Sequence, residues 1–223
     1  MKYILTHLGL GDAIICNGLV RHFANKFGSV ILFVDSSYVR NIKHMYRDNE
    51  NIKFFPVKHY NDAIRISREI INKKDLIVVG YEKLSFYKNS KFDEAFYLGC
   101  GLKFENRFTN FKFVRDLERE EKLYNRLNPN NEKYIFTHNV DLSKVRSDLK
   151  IIENPEDSLI FDTIKLLENA EEIHVMESSV KCLINSYKLD KPKLFYHQYV
   201  REYGEYNNSK GLNKFIEIRW VKY

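Results

Sequence analysis

Short apolar runs alternate with amphipathic stretches in the N-terminal part of the chain, and this alternation constrains the fold more than any other feature. The apolar runs predict strands at 2–6, 29–34, 52–57 and 75–79, and the amphipathic stretches predict helices at 12–27 and 61–72. A further helix is predicted to run from Ser36 or Ser37 towards Asp48. Strands that alternate with helices in this way are typical of a parallel, doubly wound sheet. The sequence therefore predicts an α/β fold.

The same pattern restarts after the break Asn128-Pro129-Asn130-Asn131. Before the break, a helix is predicted at 92–101, an extended segment at 104–114 and a charged helix at 116–127. After it, strands are predicted at 133–137, 172–175 and 193–196, and helices at 157–169 and 178–187. In a chain of 223 residues we therefore expect two Rossmann-like lobes of reduced size, 1–128 and 129–223. The tail from Arg201 could pack back across the first lobe.

The net charge of the chain limits the kinds of binding partner that we expect. Lysine and arginine number 36 against 30 aspartates and glutamates, a formal charge of +6. The basic residues are scattered, which argues against nucleic acid and leaves an anionic substrate or peripheral contact with an anionic membrane. No apolar run approaches the roughly 18 residues of a transmembrane helix, and the chain opens on a strand rather than a signal peptide. Three cysteines without close spacing are typical of a cytoplasmic protein.

A glycine turn, Leu8-Gly9-Leu10-Gly11-Asp12, joins the first predicted strand to the first predicted helix. Such a turn lets the backbone N–H groups around Gly9 and Gly11 approach a ligand. It is not a nucleotide P-loop, because Asp12 follows Gly11 where a lysine is required. Ile14 replaces the third small residue of the dinucleotide fingerprint, although Asp35 at the end of the second strand keeps an NAD-binding interpretation open.

Asp12 carries a carboxylate where a phosphate-binding loop would have none. This charge suggests that a hydroxyl or an amine, rather than a diphosphate, meets this end of the strand. Two interpretations of the residue stay open. An acid in the first helical turn stabilises the helix dipole by a few tenths to about 1 kcal/mol, and a carboxylate in this place could also accept a proton as a catalytic base.

A second group of polar residues follows the strand predicted at 172–175. Ser178 and Ser179 supply hydroxyls at a predicted helix N-terminus, an arrangement that suits a phosphate or diphosphate. Glu177 could accept hydrogen bonds from a ribose or sugar hydroxyl. The alternative is an ordinary helix N-cap by one of the two serines.

A third group, Thr137-His138-Asn139, ends the first strand of the second half, and Lys144 and Arg146 follow it. Ligands of doubly wound sheets bind beyond the carboxyl ends of strands, so we expect this group at the same crevice as the serines. Lys144 and Arg146 could neutralise a diphosphate leaving group, or they could belong to a solvated basic loop. The same two interpretations apply to His197 and Arg201. No motif has the spacing of metal ligands.

Taken together, these motifs resemble the two-lobed GT-B type glycosyltransferases, in particular the heptosyltransferase-like bacterial enzymes and small bacterial or viral glycosyltransferase-like proteins. Gly9-Leu10-Gly11-Asp12 resembles their Gly-x-Gly-Asp turn. Glu177-Ser178-Ser179 resembles their acid followed by small hydroxyl residues, although Ser-Ser replaces the usual Thr-Gly. The runs 92–97 and 170–174 are also similar to such proteins.

The resemblance implies parallel sheets that face a central cleft, with a nucleotide sugar in the C-terminal lobe and a glycan or other hydroxyl acceptor against the N-terminal lobe. It implies Asp12 as the catalytic base, Ser178 and Ser179 as ligands of the donor phosphates, and Glu177 as a contact to donor hydroxyls. It implies no metal and no cofactor besides the nucleotide-sugar co-substrate. The candidate binding residues are Gly9, Gly11, His138, Lys144, Arg146, Glu177, Ser178 and Ser179.

The resulting prediction is a cytoplasmic, inverting and metal-independent glycosyltransferase of the hexosyl- or heptosyltransferase type. One alternative is an NAD- or nucleotide-binding enzyme of the single Rossmann type that uses Gly9, Gly11 and Asp35. Another is a non-catalytic protein that binds sugar nucleotides. The sequence does not set the donor sugar, the acceptor or the oligomeric state.

Overall fold

The computed structural model describes residues 1–80, 90–145, 147–187, 189 and 191–197, and the backbone of 220–222. The chain divides into two compact units, Met1–Val114 and Arg115–Tyr223. Arg146 and the tail from Arg201 to residue 219 lie outside the described residues, so the interpretations of these segments stay predictions.

The first unit is built on a parallel sheet. Its elements in chain order are β1 (Lys2–Leu5), α1 (Leu10–Ile15), α2 (Asn17–Phe27), β2 (Val30–Asp35), α3 (Val39–Met45), β3 (Ile52–Val57), α4 (Tyr60–Ile70), β4 (Leu76–Val78), α5 (Phe92–Leu98) and α6 (Asn106–Thr109). The strands lie in the order β3-β2-β1-β4, and each described pair is parallel. The order of the strands therefore reverses between β1 and β4.

The second unit is built on another parallel sheet. Its elements are α7 (Leu117–Leu127), β5 (Tyr134–His138), β6 (Lys150–Glu153), α8 (Ile164–Asn169), β7 (Glu172–Val175), α9 (Ser179–Ser186), β8 (Lys193–Tyr196) and β9 (Trp220–Lys222). Short 3₁₀ turns cover Leu142–Lys144 and Ile160–Thr163. The strands lie in the order β6-β5-β7-β8-β9 and pair in parallel. Here the order reverses between β5 and β7.

These two parallel sheets confirm the predicted α/β fold with two Rossmann-like units. The structure also contains a strand that the sequence analysis did not identify, β6, which pairs with β5 from Tyr134 to Thr137. The segment predicted to be extended at 104–114 contains the short helix α6 instead. Within the described residues, no helix has both the length and the apolar character needed to cross a membrane.

The boundary between the units lies earlier than the predicted position at 128, because α7 packs on the second unit. The guanidinium of Arg119 donates to both carboxylate oxygens of Asp162, which is buried. Arg115 donates to Glu168 on α8 as well as to Glu120 on α7 itself. These side-chain bonds fix the charged helix to the second unit, although the Asn-Pro break follows it.

The helix predicted at 12–27 is divided at Cys16 into α1 and α2. The hydroxyl of Tyr97, a buried residue of α5, accepts a hydrogen bond from the Leu19 N–H at 3.2 Å and donates to the Ile15 carbonyl at 2.7 Å. In a continuous helix those two backbone groups would bond to each other. A side chain inserted into the backbone ladder is a recognised cause of a break.

Gly18 allows α2 to pack closely on α6. A Cβ added at Gly18 would lie 2.2 Å from the carbonyl oxygen of Asn106, a backbone atom that cannot swing away. We expect Gly18→Ala to lower the free energy of unfolding by about 1–3 kcal/mol, the usual cost of overpacking. Chemical denaturation followed by circular dichroism measures this change. Asn25→Ala, at an exposed position of the same helix, is the control and should be close to neutral.

Candidate active site

In each unit the candidate residues lie where the strand order reverses. Doubly wound sheets bind their ligands beyond the carboxyl ends of the strands at this point. In the first unit, Asp12 follows β1, which neighbours β4. In the second unit, His138 ends β5 and Glu177 follows the adjacent strand β7. Both groups of residues therefore occupy the place where this topology binds ligands.

The turn after β1 is strained at Leu8 and tight at Gly9. Leu8 is buried and has a φ of 66°, in the left-handed region that costs a non-glycine residue about 1–2 kcal/mol. Gly9 has an ordinary φ of −61°, so its backbone conformation does not require glycine. A Cβ there would lie 3.1 Å from Oδ2 of Asp12. Gly9 therefore makes room for the Asp12 carboxylate, and Gly11 lies within α1.

Asp12 lies in the first turn of α1 with its side chain 25% exposed. This position favours the helix dipole, so the helix-stabilising interpretation of Asp12 has structural support. The partly exposed carboxylate is also within reach of a ligand that approaches the carboxyl end of β1. Its Oδ2 lies 3.9 Å from Nδ1 of His7, beyond a direct hydrogen bond.

His7 is a component of this site that the sequence analysis did not identify. Its ring lies against Phe96 at 5.1 Å, Phe92 at 5.7 Å and Tyr60 at 6.4 Å between ring centroids. Burial lowers the pKa of His7 to about 4, so the imidazole is uncharged at neutral pH. The sequence signal for His7 was its place at the carboxyl end of the first strand, directly before the glycine turn.

Gly80 closes the site on the side of β4. The Val79 N–H donates to the Leu5 carbonyl and continues the pairing of β1 with β4 beyond the strands themselves. Gly80 then adopts a φ of 156°, and a Cβ there would lie 2.2 Å from Nε2 of His7. Glycine is required here by the close approach of the His7 ring.

Asp35 ends β2, as the dinucleotide interpretation requires. Its Oδ1, however, accepts a hydrogen bond of 2.7 Å from the Ser37 N–H within the following turn. The carboxylate therefore has a structural partner of its own.

In the second unit, the end of β5 combines a buried hydroxyl with a strained residue. Thr137 is buried, and burial lowers the pKa of His138 below its ordinary value. Asn139 has a φ of 55°, and its Nδ2 lies 3.3 Å from Nε2 of His138. Asparagine tolerates the left-handed region better than most residues, so this turn costs less than the one at Leu8.

Oxygen atoms without a protein partner gather at the ends of three adjacent strands. Thr137 Oγ1, Asn154 Oδ1 and both carboxylate oxygens of Glu177 are buried and accept no hydrogen bond from the described residues. A buried polar atom without a partner costs about 1–3 kcal/mol. A ligand that brought hydroxyl or amine donors to this edge of the sheet would offset that cost.

The helix that follows Glu177 begins at a conventional N-cap. Ser178 Oγ accepts a hydrogen bond of 3.4 Å from the Lys181 N–H, which supports the N-cap interpretation and leaves the Ser178 hydroxyl hydrogen as a donor. Ser179 is the first residue of α9.

Lys181 is a second residue that the sequence analysis did not identify. Its side chain is largely buried, and Nζ lies 3.4 Å from the centroid of the Tyr196 ring. Burial lowers the pKa of Lys181 to about 8, against an opposing effect of the Glu177 carboxylate.

Lys144 ends the 3₁₀ turn that follows β5, and its Nζ lies 3.9 Å from Asp141 Oδ2. The charge of Lys144 lowers the pKa of His197, which directly follows β8, and the charge of Asp141 raises it. The structure therefore brings Lys144 to the edge of the sheet where His197 lies. Its side chain is 55% exposed, so the solvated-loop interpretation keeps its support.

A chain of hydrogen bonds links two polar residues of β7 to His197, which directly follows β8. His174 Nε2 lies 3.2 Å from Glu172 Oε2, and His174 Nδ1 lies 2.8 Å from His197 Nε2. Because the carboxylate can only accept, His174 donates from Nε2 and accepts at Nδ1. His197 therefore donates from Nε2. The His174 ring also stacks on Phe195 at 4.5 Å between centroids.

This pair of histidines should make stability depend on pH. Burial lowers the pKa of His174, and burial together with His174 and Lys144 lowers the pKa of His197 to about 4. The unfolded chain takes up protons near pH 6.5 whereas the folded chain does not, so stability is full above pH 6.5 and falls as the pH approaches 4.

Denaturation at several pH values between 7 and 4.5 tests this expectation. His197→Gln should reduce the loss of stability per pH unit by up to about 1.4 kcal/mol, the effect of one titrating group. His59→Gln, at an exposed position, should leave the slope unchanged. An equal slope in wild type and His197→Gln would contradict the assignment.

The chain was compared with protein families, curated proteins and solved structures. No protein-family model and no curated protein sequence matches the chain. Within the described residues, no group of three or more histidine, cysteine, aspartate or glutamate side chains could hold a metal ion.

Two solved structures are similar to the chain over most of its length. A glycosyl transferase of family 9 from Veillonella parvula matches with a TM-score of 0.58 and 9% identity, covering 99% of this chain and 86% of that one. The Escherichia coli ADP-heptose lipopolysaccharide heptosyltransferase II matches with a TM-score of 0.52 and 8% identity, covering 93% and 87%. At these identities the likeness concerns the fold. The chain therefore has the GT-B fold of heptosyltransferase-like glycosyltransferases, as its motifs predicted.

Proposed function

We propose that the protein is a glycosyltransferase that moves a sugar from a nucleotide-sugar donor to a hydroxyl acceptor. The observation that carries the proposal is the set of buried acceptor oxygens at the second strand-order reversal: Thr137 Oγ1, Asn154 Oδ1 and the Glu177 carboxylate. Their chemistry suits a ligand rich in hydroxyl donors, such as a ribose or a sugar. The fold shared with two glycosyltransferases supports the same conclusion.

The donor binds to the second unit in this proposal. Glu177 accepts hydrogen bonds from donor hydroxyls. The Ser178 hydroxyl and the N-terminal N–H groups of α9, an eight-residue helix that begins at Ser179, bind the donor phosphates. Lys144, whose side chain is largely exposed, can turn towards the diphosphate, and His138 lies beside it at the end of β5. Gly9 and Gly11 belong to the acceptor side.

Asp12 acts as the catalytic base on the acceptor. Its carboxylate removes the proton of the acceptor hydroxyl as the oxygen forms a bond to the anomeric carbon. The bond from that carbon to the diphosphate oxygen breaks, and the nucleoside diphosphate leaves with the electron pair. Attack opposite the leaving group inverts the configuration of the anomeric carbon. Basic residues and a helix N-terminus stabilise the leaving group, so the proposal requires no metal. A cytoplasmic location stays a prediction.

A ligand screen tests the donor site. We expect at least one of UDP-glucose, GDP-glucose and ADP-glucose to raise the melting temperature, because a ligand at 100 times its Kd stabilises a protein by about 2.7 kcal/mol. Glu177→Gln should reduce this shift, since an amide replaces one of the two acceptor oxygens with a donor. Glu118→Gln, exposed on α7 of the same unit, should not. Stabilisation by NAD alone would contradict the proposal.

Asp12→Asn tests the base. We expect transfer to fall by at least about a hundredfold, the typical contribution of general-base catalysis, with donor binding unchanged. Asp62→Asn is a matched control, because Asp62 is also an acid in the first turn of a helix, α4, of the same unit. Rates of transfer and donor affinities of the three proteins decide the question. An Asp12→Asn protein that turns over normally would remove Asp12 from the mechanism.

A further inference from the structure

We propose that His7 is a positioning residue for Asp12, and that it orients the carboxylate as an uncharged hydrogen-bonding partner rather than as a counter-ion. This inference rests on the proposed function, since it assigns a place in the reaction to a residue beside the proposed base. Four features of the first unit support it: the position of the imidazole, the aromatic rings around it, the glycine beneath it and its state of charge.

His7 lies beside the proposed base at the carboxyl end of the same strand. His7 follows β1 after Thr6, and its Nδ1 lies 3.9 Å from Asp12 Oδ2. The side chain of His7 is 9% exposed and that of Asp12 is 25% exposed. The nitrogen therefore belongs to a more deeply buried side chain than the carboxylate that it approaches. Catalytic hydrogen bonds that are long in unliganded structures often shorten when the substrate binds.

The aromatic rings of two helices hold the imidazole from the other directions. Phe92 and Phe96 of α5 pack together with centroids 4.4 Å apart and both contact the His7 ring. Tyr60, at the start of α4, lies edge-on to it. The titratable or charged side chains that face His7 in these contacts are Asp12 and Tyr60. Among the described residues, the surroundings of His7 are therefore mostly aromatic.

The absence of a side chain at Gly80 leaves room for the His7 ring. A Cβ at that position would lie 2.2 Å from Nε2 and 2.7 Å from Cδ2 of His7. A side chain at this position would displace the imidazole from its present place. The ring of His7, after β1, therefore requires a glycine at position 80, after β4.

The charge of His7 decides what it does for Asp12. A protonated imidazole near 4 Å would favour the carboxylate form and make Asp12 a weaker base. The apolar surroundings oppose protonation, and the pKa of about 4 keeps His7 neutral where enzymes of this kind operate. A neutral imidazole can donate a hydrogen bond to one carboxylate oxygen with a smaller loss of basicity than a charged one. His7 thus orients the proposed base and leaves it able to accept a proton.

Nitrogen-15 NMR of the His7 ring in the full-length protein tests the contact and the charge without any substrate. We expect the neutral pattern from pH 8 to pH 5, and a change in the Nδ1 resonance in Asp12→Asn that is absent from Asp62→Asn. A His7 that titrates above pH 5, or an Nδ1 resonance that is the same in wild type and Asp12→Asn, would overturn the proposal. These outcomes do not depend on glycosyl transfer, so they remain distinct from a failure of the proposed function.

Kinetics then test positioning. The probe is the transfer of glucose to water from whichever of UDP-, GDP- and ADP-glucose binds most tightly. We expect His7→Phe, which fills the space without a hydrogen-bonding group, to lower kcat at least about tenfold with KM unchanged, because small misplacements of catalytic groups have large effects on rate. His7→Asn should restore much of the rate. Equal losses in both variants, or a loss confined to KM, would overturn the proposal.

Gly80→Ala offers a second route to the same displacement. The added methyl group should lower kcat in the same way as His7→Phe, since it moves the ring without changing its chemistry. Gly28→Ala is the matched control, because Gly28 also has a positive φ, 73°, but a Cβ there meets nothing within 4 Å. A normal kcat in a folded Gly80→Ala protein would contradict the inferred link between Gly80 and His7.

Discussion

The candidate site of the first unit depends on the hydroxyl of Tyr97. This group replaces one backbone hydrogen bond by accepting from Leu19 and donating to Ile15. The break lets α1 present Asp12 at the end of β1 while α2 packs through Gly18 on α6. A single straight helix would have to place Asp12 at the end of β1 and pack Gly18 on α6 in one orientation. The Tyr97 hydroxyl acts as donor and acceptor at once, so both the Leu19 N–H and the Ile15 carbonyl keep a hydrogen-bonding partner at the break.

The turn that carries Asp12 also depends on the core beneath it. A leucine in the left-handed region persists only where its surroundings over-determine it. Leu8 belongs to a buried cluster with Leu5 of β1, Phe33 of β2 and Val57 of β3. Removal of its side chain from that cluster would expose apolar surface, and this opposes relaxation of the backbone. The hydrophobic core of the first sheet thus sustains the strain at the site.

Ligands of doubly wound sheets bind beyond the carboxyl ends of strands. This made part of the site predictable, because Asp12 and Glu177 each follow a strand that the sequence predicts. The position of His7 after the first strand gave the same signal, but its contact with Gly80 was not predictable in this way. His7 and Gly80 meet only because β1 pairs with β4, and the helix break at Cys16 requires Tyr97 from a distant helix. The strand β6 has four residues and no local signal beyond two isoleucines. Pairing with β5 stabilises it, and single-sequence patterns do not contain that information.

The two proposed carboxylates share an arrangement that bears on the ligand. Asp12 lies near His7, and the Glu177 carboxylate raises the pKa of Lys181. Burial lowers the pKa of both bases, to about 4 for His7 and about 8 for Lys181. At neutral pH His7 is therefore uncharged, whereas Lys181 keeps most of its charge. A site built only to hold phosphate would gather strong cations. An uncharged imidazole beside Asp12 and a single lysine near Glu177 instead let a hydroxyl donor compete for each carboxylate, which is the chemistry that an acceptor and a sugar donor both require.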